Sequence, residues 1–225
     1  ISLYATRWGI DFAHIEGEEI SEELGIVKYE EPEPVDPNAE SGFPYWMRKT
    51  GEDLWQSIPI DEYIGQECDV TLKKDGKSMS TFSTEGNKRV CSRRLVFKPD
   101  IENEYTRAER NQSLIGKLNA LQLDTGKQLV FRGELFRGEF YLFGVYDIET
   151  RENYGIYSDL YFEKVGKLLD IETVPIIEKN VILTQELIDK YANLDKLNGE
   201  YFEGVVIVGK DWSFKVINLN YDSRK

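Results

Sequence analysis

Residues 128–136 and 140–148 are two apolar, β-rich runs separated only by Arg137-Gly138, which reads as a hairpin turn. Strands joined that tightly run antiparallel, which commits this part of the chain to an antiparallel sheet. Further strands are expected at 69–72, 78–82, 90–97, 201–208 and 214–219. Helices are expected at 101–123, with Leu114, Leu118 and Leu121 on one face, at 158–169 and at 184–194. In the last, Thr184 is the cap and Leu187, Ile188 and Tyr191 face inward. Helices inserted among antiparallel strands make the fold class α+β. No G-x-G-x-x-G follows a strand, so a dinucleotide fold is not indicated.

The 225 residues are 40% hydrophobic and 12% aromatic, enough to build a sizeable core and to exclude wholesale disorder. Apolar runs such as 205–208 are far too short to span a membrane, and Arg7, Asp11 and Glu16 interrupt any signal-like stretch. Cys68 and Cys91 cannot form a disulfide scaffold and point to a reducing compartment, cytoplasmic or nuclear. His14 is the only histidine, which argues against His-rich zinc sites and a Ser-His-Asp triad.

A net charge of −13 argues against nucleic acid until the distribution is considered. Residues 1–65 hold fifteen Asp/Glu against four Lys/Arg, ten of those acids lying in 16–40. That stretch reads as an acidic helix near 20–24 followed by an extended Pro-rich linker. From Thr71 to Lys98 the sign reverses, with eight Lys/Arg against Asp75 and Glu85. A local +6 is either the footprint of a focused anion site or a scattered basic surface.

Chemistry concentrates at Lys73-Lys74-Asp75-Gly76. A lysine leaving a strand just before Asp-Gly, among other cations, is expected to have a lowered pKa and so to be available as a neutral nucleophile. Alone, K-x-D-G is more often a hairpin turn with exposed lysines. Its company raises it: Arg93 in Cys-Ser-Arg, Glu134 in Arg-Gly-Glu-Leu, Phe143 in an aromatic strand, Glu203 before Gly204, and Lys215 in Ser-Phe-Lys-Val-Ile follow in that order.

With these motifs, and with 47–53, 23–30 and 90–93, the chain resembles the covalent nucleotidyltransferases over about 16–221, and among them the ATP-dependent RNA ligases that seal 3′-OH and 5′-phosphate ends. The resemblance implies antiparallel sheets with flanking helices and a nucleotide pocket between them. It implies a remnant of an upstream OB-like domain at 1–15, with more expected upstream, a linker at 16–45 and a nucleotidyltransferase domain at 46–225. Lys73 is then the lysine that becomes adenylylated, Asp75 and Gly76 complete its motif, and Arg93 lies near sugar and phosphate. Glu134 binds the ribose, Phe143 stacks on the purine, Glu203 helps hold Mg²⁺ or Mn²⁺, and Lys215 contacts the α-phosphate. ATP, consumed as covalent AMP, and RNA ends are the implied partners of a monomer, with no membrane.

Three positions depart from the family pattern. Leu72 stands where a glutamate often precedes the nucleophile, Gly144 where an aspartate often follows the aromatic, and Ile217 where a second lysine can follow Lys215. Lys74 or Arg93 would then supplement Lys215 at the phosphate. The alternatives are a DNA ligase, a capping-type guanylyltransferase, or a nucleic-acid-binding adaptor with a decayed site.

Overall fold

The computed structural model describes residues 36–84 and 86–221. These residues belong to one compact unit within Pro34–Lys225. The expected acidic helix near 20–24, the upstream remnant and the 23–30 motif lie outside the described residues.

In chain order the strands are β1 (Ala39–Gly42), β2 (Glu67–Lys73), β3 (Lys77–Thr84), β4 (Asn87–Cys91), β5 (Leu95–Phe97), β6 (Leu129–Phe136), β7 (Glu139–Asp147), β8 (Glu152–Asn153), β9 (Ile176–Ile182), β10 (Gly204–Val208) and β11 (Ser213–Ile217). The helices are α1 (Glu104–Gln112), α2 (Leu114–Thr125), α3 (Phe162–Leu169) and α4 (Gln185–Asn193). A seven-stranded antiparallel sheet runs β1-β5-β4-β3-β6-β7-β8, and a four-stranded one runs β11-β10-β2-β9. The α+β reading holds.

The hairpin between β6 and β7 forms as expected. Arg137 and Gly138 both have positive φ, 52° and 85°, the turn geometry that matches the twist of antiparallel strands. Elsewhere local chemistry subdivides what periodicity reads as continuous. The single helix expected at 101–123 is two, because Ser113 adopts a left-handed conformation between α1 and α2. Asn103 starts α1 with a capping box: its Oδ1 accepts from the N–H groups of Tyr105 and Thr106, and Thr106 Oγ1 accepts from the N–H of Asn103. The change of direction lets Tyr105 and Ala108 of α1 and Leu114, Leu118 and Leu121 of α2 share one core with Met79, Phe131 and Phe140 of the sheet. Residues 39–42, expected within the linker, form an edge strand on β5. The β9 strand carried no clear signal because its residues Glu178, Lys179 and Asn180 dilute the alternation.

A second core lies against the four-stranded sheet, where Val70, Val205, Ile207, Phe214 and Val216 pack with Ile188 and Tyr191 of α4. The period-2 alternation of strands then sends Thr71 and Lys73 of β2, Val206 of β10 and Lys215 of β11 to the opposite face. Residues 172–175 hold the two sheets together. Leu142 N–H donates to the Glu172 carbonyl at 2.8 Å, Val174 N–H to the Leu142 carbonyl at 3.0 Å, and Leu72 N–H to the Pro175 carbonyl at 2.8 Å. Buried Asp69 of β2 adds a second link by accepting from the Tyr161 hydroxyl at 3.0 Å. No helix among the described residues is long and apolar enough to cross a membrane.

Candidate active site

Between the two sheets lies a cavity of about 410 Å³. All eight residues singled out from the sequence line it: Lys73, Asp75, Gly76, Arg93, Glu134, Phe143, Glu203 and Lys215. They come from separate elements, and each arrives by an identifiable local device.

Lys73 is the last residue of β2 and pairs in register with Gly204 at the start of β10. That register sets Glu203 beside it, and Lys73 Nζ donates to Glu203 Oε1 at 2.5 Å. The other carboxylate oxygen, Oε2, is buried without a hydrogen-bond partner among the described residues. Two of the cations expected around Lys73 are engaged by other groups. Lys74 Nζ sits 4.0 Å from the ring centre of Tyr141 and 4.8 Å from that of Phe136, and Lys77 pairs with Glu104 at 2.6 Å. The charged group in contact with Lys73 is a carboxylate, which corrects the sequence-based picture of its surroundings.

Asp75 and Gly76 form the turn from β2 to β3, and the Tyr221 hydroxyl donates to Asp75 Oδ2. Gly76 N–H donates to Glu134 Oε1 at 3.1 Å. A Cβ on Gly76 would lie 2.5 Å from the Leu135 carbonyl oxygen and 2.9 Å from Glu134 Cγ, so this close approach requires glycine. Burial pushes the Glu134 carboxyl up to about 7, against the opposing pull of the Lys73 cation and the Gly76 N–H.

The 90–97 strand expected from its apolar pattern is interrupted, and the interruption delivers Arg93. Ser92 Oγ accepts from the N–H groups of Arg94 at 3.2 Å and Leu95 at 3.0 Å, closing a serine turn between β4 and β5. Phe143 arrives through a bulge: β6 and β7 pair Arg132 with Gly144 and Gly133 with Leu142, leaving Phe143 as the extra residue. Bulges re-aim side chains, and here the half-buried ring joins the cavity wall.

Residues 48–54 cross from one sheet to the other. Arg48 N–H donates to the Tyr146 hydroxyl at 3.1 Å, and the Arg48 carbonyl accepts from the buried Arg132 guanidinium. Thr50 Oγ1 and Ser78 Oγ share a hydrogen bond of 2.5 Å. On the other sheet Glu52 Oε2 accepts from the Ser213 hydroxyl at 2.6 Å, and Lys215 N–H donates to the Asp53 carbonyl at 2.9 Å. The 47–53 family likeness in the sequence does not by itself mark Thr50, Gly51 and Glu52 as cavity residues, which the fold makes them. Asn153 and Tyr154 were missed too, because a two-residue edge strand leaves no periodic signal.

The arrangement supplies an amine beside a partly buried carboxylate with a spare oxygen, three further cations, an aromatic face and a second carboxylate. Comparison with known proteins points the same way. The family model for RNA ligase matches residues 66–217. A variant of an RNA ligase from Naegleria gruberi, solved with ATP and Mn, matches with a TM-score of 0.71 and 27% identity over 96% of this chain and 70% of that one. Another variant of that ligase with AMP and Mn gives 0.68 and 25% over 95% and 69%. The same ligase with pyrophosphate gives 0.68 and 26% over 95% and 69%. No curated protein sequence matches the chain.

Proposed function

Because this chain belongs to the RNA ligase family and is an ATP-dependent ligase of the nucleotidyltransferase type, we propose that Lys73 is the residue that carries AMP from ATP to RNA. The observation that carries this is the Lys73–Glu203 contact, with one oxygen of the carboxylate engaged and the other without a partner among the described residues.

Lys73 Nζ releases a proton to solvent and, as a neutral amine beside Glu203, attacks the α-phosphorus of ATP with its lone pair. An N–P bond forms, the P–O bond to the β-phosphate breaks, and pyrophosphate leaves with the electron pair. AMP then passes to an RNA 5′-phosphate, and a 3′-OH displaces it to close the strand. Lys215, on the same sheet face as Lys73, and Arg93 offer positive charge to the phosphates. Glu134 accepts from ribose hydroxyls, and Phe143 offers its face to the purine.

The donor set also fits a divalent metal. Among the described residues no three His, Cys, Asp or Glu side chains converge, and Glu203, whose Oε2 has no partner among them, is the carboxylate that would hold the ion, directly or through its waters. Mg²⁺ binds in that manner, and Mn²⁺ accepts the same hard oxygen ligands. When bound it supplies charge that offsets the negative charge developing on the phosphate.

The test is transfer of label from [α-³²P]ATP in the presence of Mn²⁺. The wild type and Lys74→Ala should acquire the label and Lys73→Ala should not; a labelled Lys73→Ala protein overturns the assignment. Joining is scored separately on 5′-phosphorylated RNA and on matched DNA, with RNA ends the expected substrate.

A further inference from the structure

Asn153 has no part in the steps above, yet it forms part of the cavity wall. It is one of the two residues of β8, at the edge of the seven-stranded sheet, in register with Tyr146 of β7. Its carboxamide lies back along β7 toward Gly144. A Cβ on Gly144 would stand 3.2 Å from Asn153 Oδ1 and 3.3 Å from its Cγ. Glycine at 144 and the amide of 153 are therefore a matched pair, because any larger side chain at 144 would crowd the amide.

Gly144 directly follows Phe143, the bulge residue whose ring lines the cavity. A hydrogen-bonding amide thus stands beside the ring that the site reading gives to the purine. Asn153 Oδ1 is buried without a partner among the described residues. Buried acceptors are nearly always paired, so the missing donor is to be sought in what fills the cavity. The backbone behind the amide is anchored: Tyr154 N–H donates to the Val145 carbonyl at 3.0 Å, and its hydroxyl to Asp147 Oδ2 at 2.5 Å. Asp147 is buried and also accepts from Lys127 Nζ at 3.1 Å.

We propose that Asn153 reads the amino edge of adenine, accepting from the exocyclic amine and donating from its own amide to the adjacent ring nitrogen. The proposal rests on the nucleotide reading of the site given above. It makes Asn153 a residue that selects ATP, with Gly144 providing the space.

The experiment compares the rate of nucleotide transfer onto the protein from ATP, from GTP and from purine riboside triphosphate, which lacks the amino group. The wild type should favour ATP over the des-amino nucleotide by about ten- to a hundredfold, the usual worth of a good bidentate base contact. Asn153→Ala should lose that factor with ATP in addition to a smaller loss shared with the des-amino nucleotide, which keeps only the ring-nitrogen contact, so that the two nucleotides are then used about equally. Gly144→Ala, which keeps the asparagine but crowds it, should move selectivity in the same direction by a smaller factor. An Asn153→Ala protein that retains the preference for ATP, or that loses both nucleotides equally, overturns the proposal. So does a wild type that takes GMP as readily as AMP. A wild type that takes label from no nucleotide overturns the nucleotide reading itself, and the proposal with it.

Discussion

At the scale of single residues, burial decides the chemistry of the groups that titrate. Glu134 projects from β6 into the space between the sheets, and its carboxyl is pushed from an ordinary value of 4.5 up to about 7. The native state therefore holds this proton more tightly than the unfolded chain does. The stability it contributes is full below about 4.5 and is lost as the pH rises through about 7. Melting curves should show the wild type falling relative to Glu134→Gln across that interval; parallel curves would reject this reading. Nucleotide charging should rise over the same interval, since the ionised carboxylate is the better acceptor of ribose hydroxyls. Cys68 and Cys91 are free, and burial pushes each thiol up to about 12, so neither supplies a nucleophile near neutral pH.

At the scale of elements, two short polar devices of similar strength have different consequences. Ser92 closes the turn that carries Arg93 to the cavity, whereas Asn103 caps a helix whose described contacts lie in the core behind the seven-stranded sheet. Ser92→Ala and Asn103→Ala should each lower stability by about 1 kcal/mol in urea titrations, the usual cost of such a hydrogen-bonded turn or cap. Only Ser92→Ala should also weaken AMP transfer, because only that turn positions a cavity residue. Equal effects of the two substitutions on transfer would show that the turn does not position Arg93.

At the scale of the whole molecule, the +6 stretch of sequence does not become one basic surface. Lys77 is paired with Glu104, Arg89 with Glu40, and Lys98 donates to the Pro37 carbonyl at 3.0 Å. Lys73, Lys74, Arg93 and Lys215 are the cations at the cavity, in a chain of net charge −13. RNA should therefore be held through few phosphates. The slope of log affinity against log salt should correspond to roughly two to five contacts. Neutralising Lys74 and Arg93 together should flatten it, while neutralising Lys164 and Lys167 of α3 should leave it unchanged. A steep slope insensitive to the first pair would place the RNA on another surface.

The place of Lys73 at a strand end, its Asp-Gly turn, the β6–β7 hairpin and the amphipathic α4 were legible in the sequence because each is set by neighbours within a few residues. The order of motifs along the chain also made the set of eight cavity residues readable, since a family likeness preserves order even when spacing drifts. Other features needed the fold. Charge counting surrounded Lys73 with cations, but strand register put Glu203 beside it and packing drew Lys74 onto two aromatic rings. Periodicity read 90–97 as one strand, yet the hydroxyl of Ser92 broke it and thereby aimed Arg93. The pairing of Gly144 with Asn153 left no local mark, because it joins an edge strand to a bulge through space. Backbone propensity and side-chain pattern act between near neighbours and determine which elements form. Which side chains meet in the cavity is decided by sheet register and by the packing of one sheet against the other, and those are properties only the folded chain has.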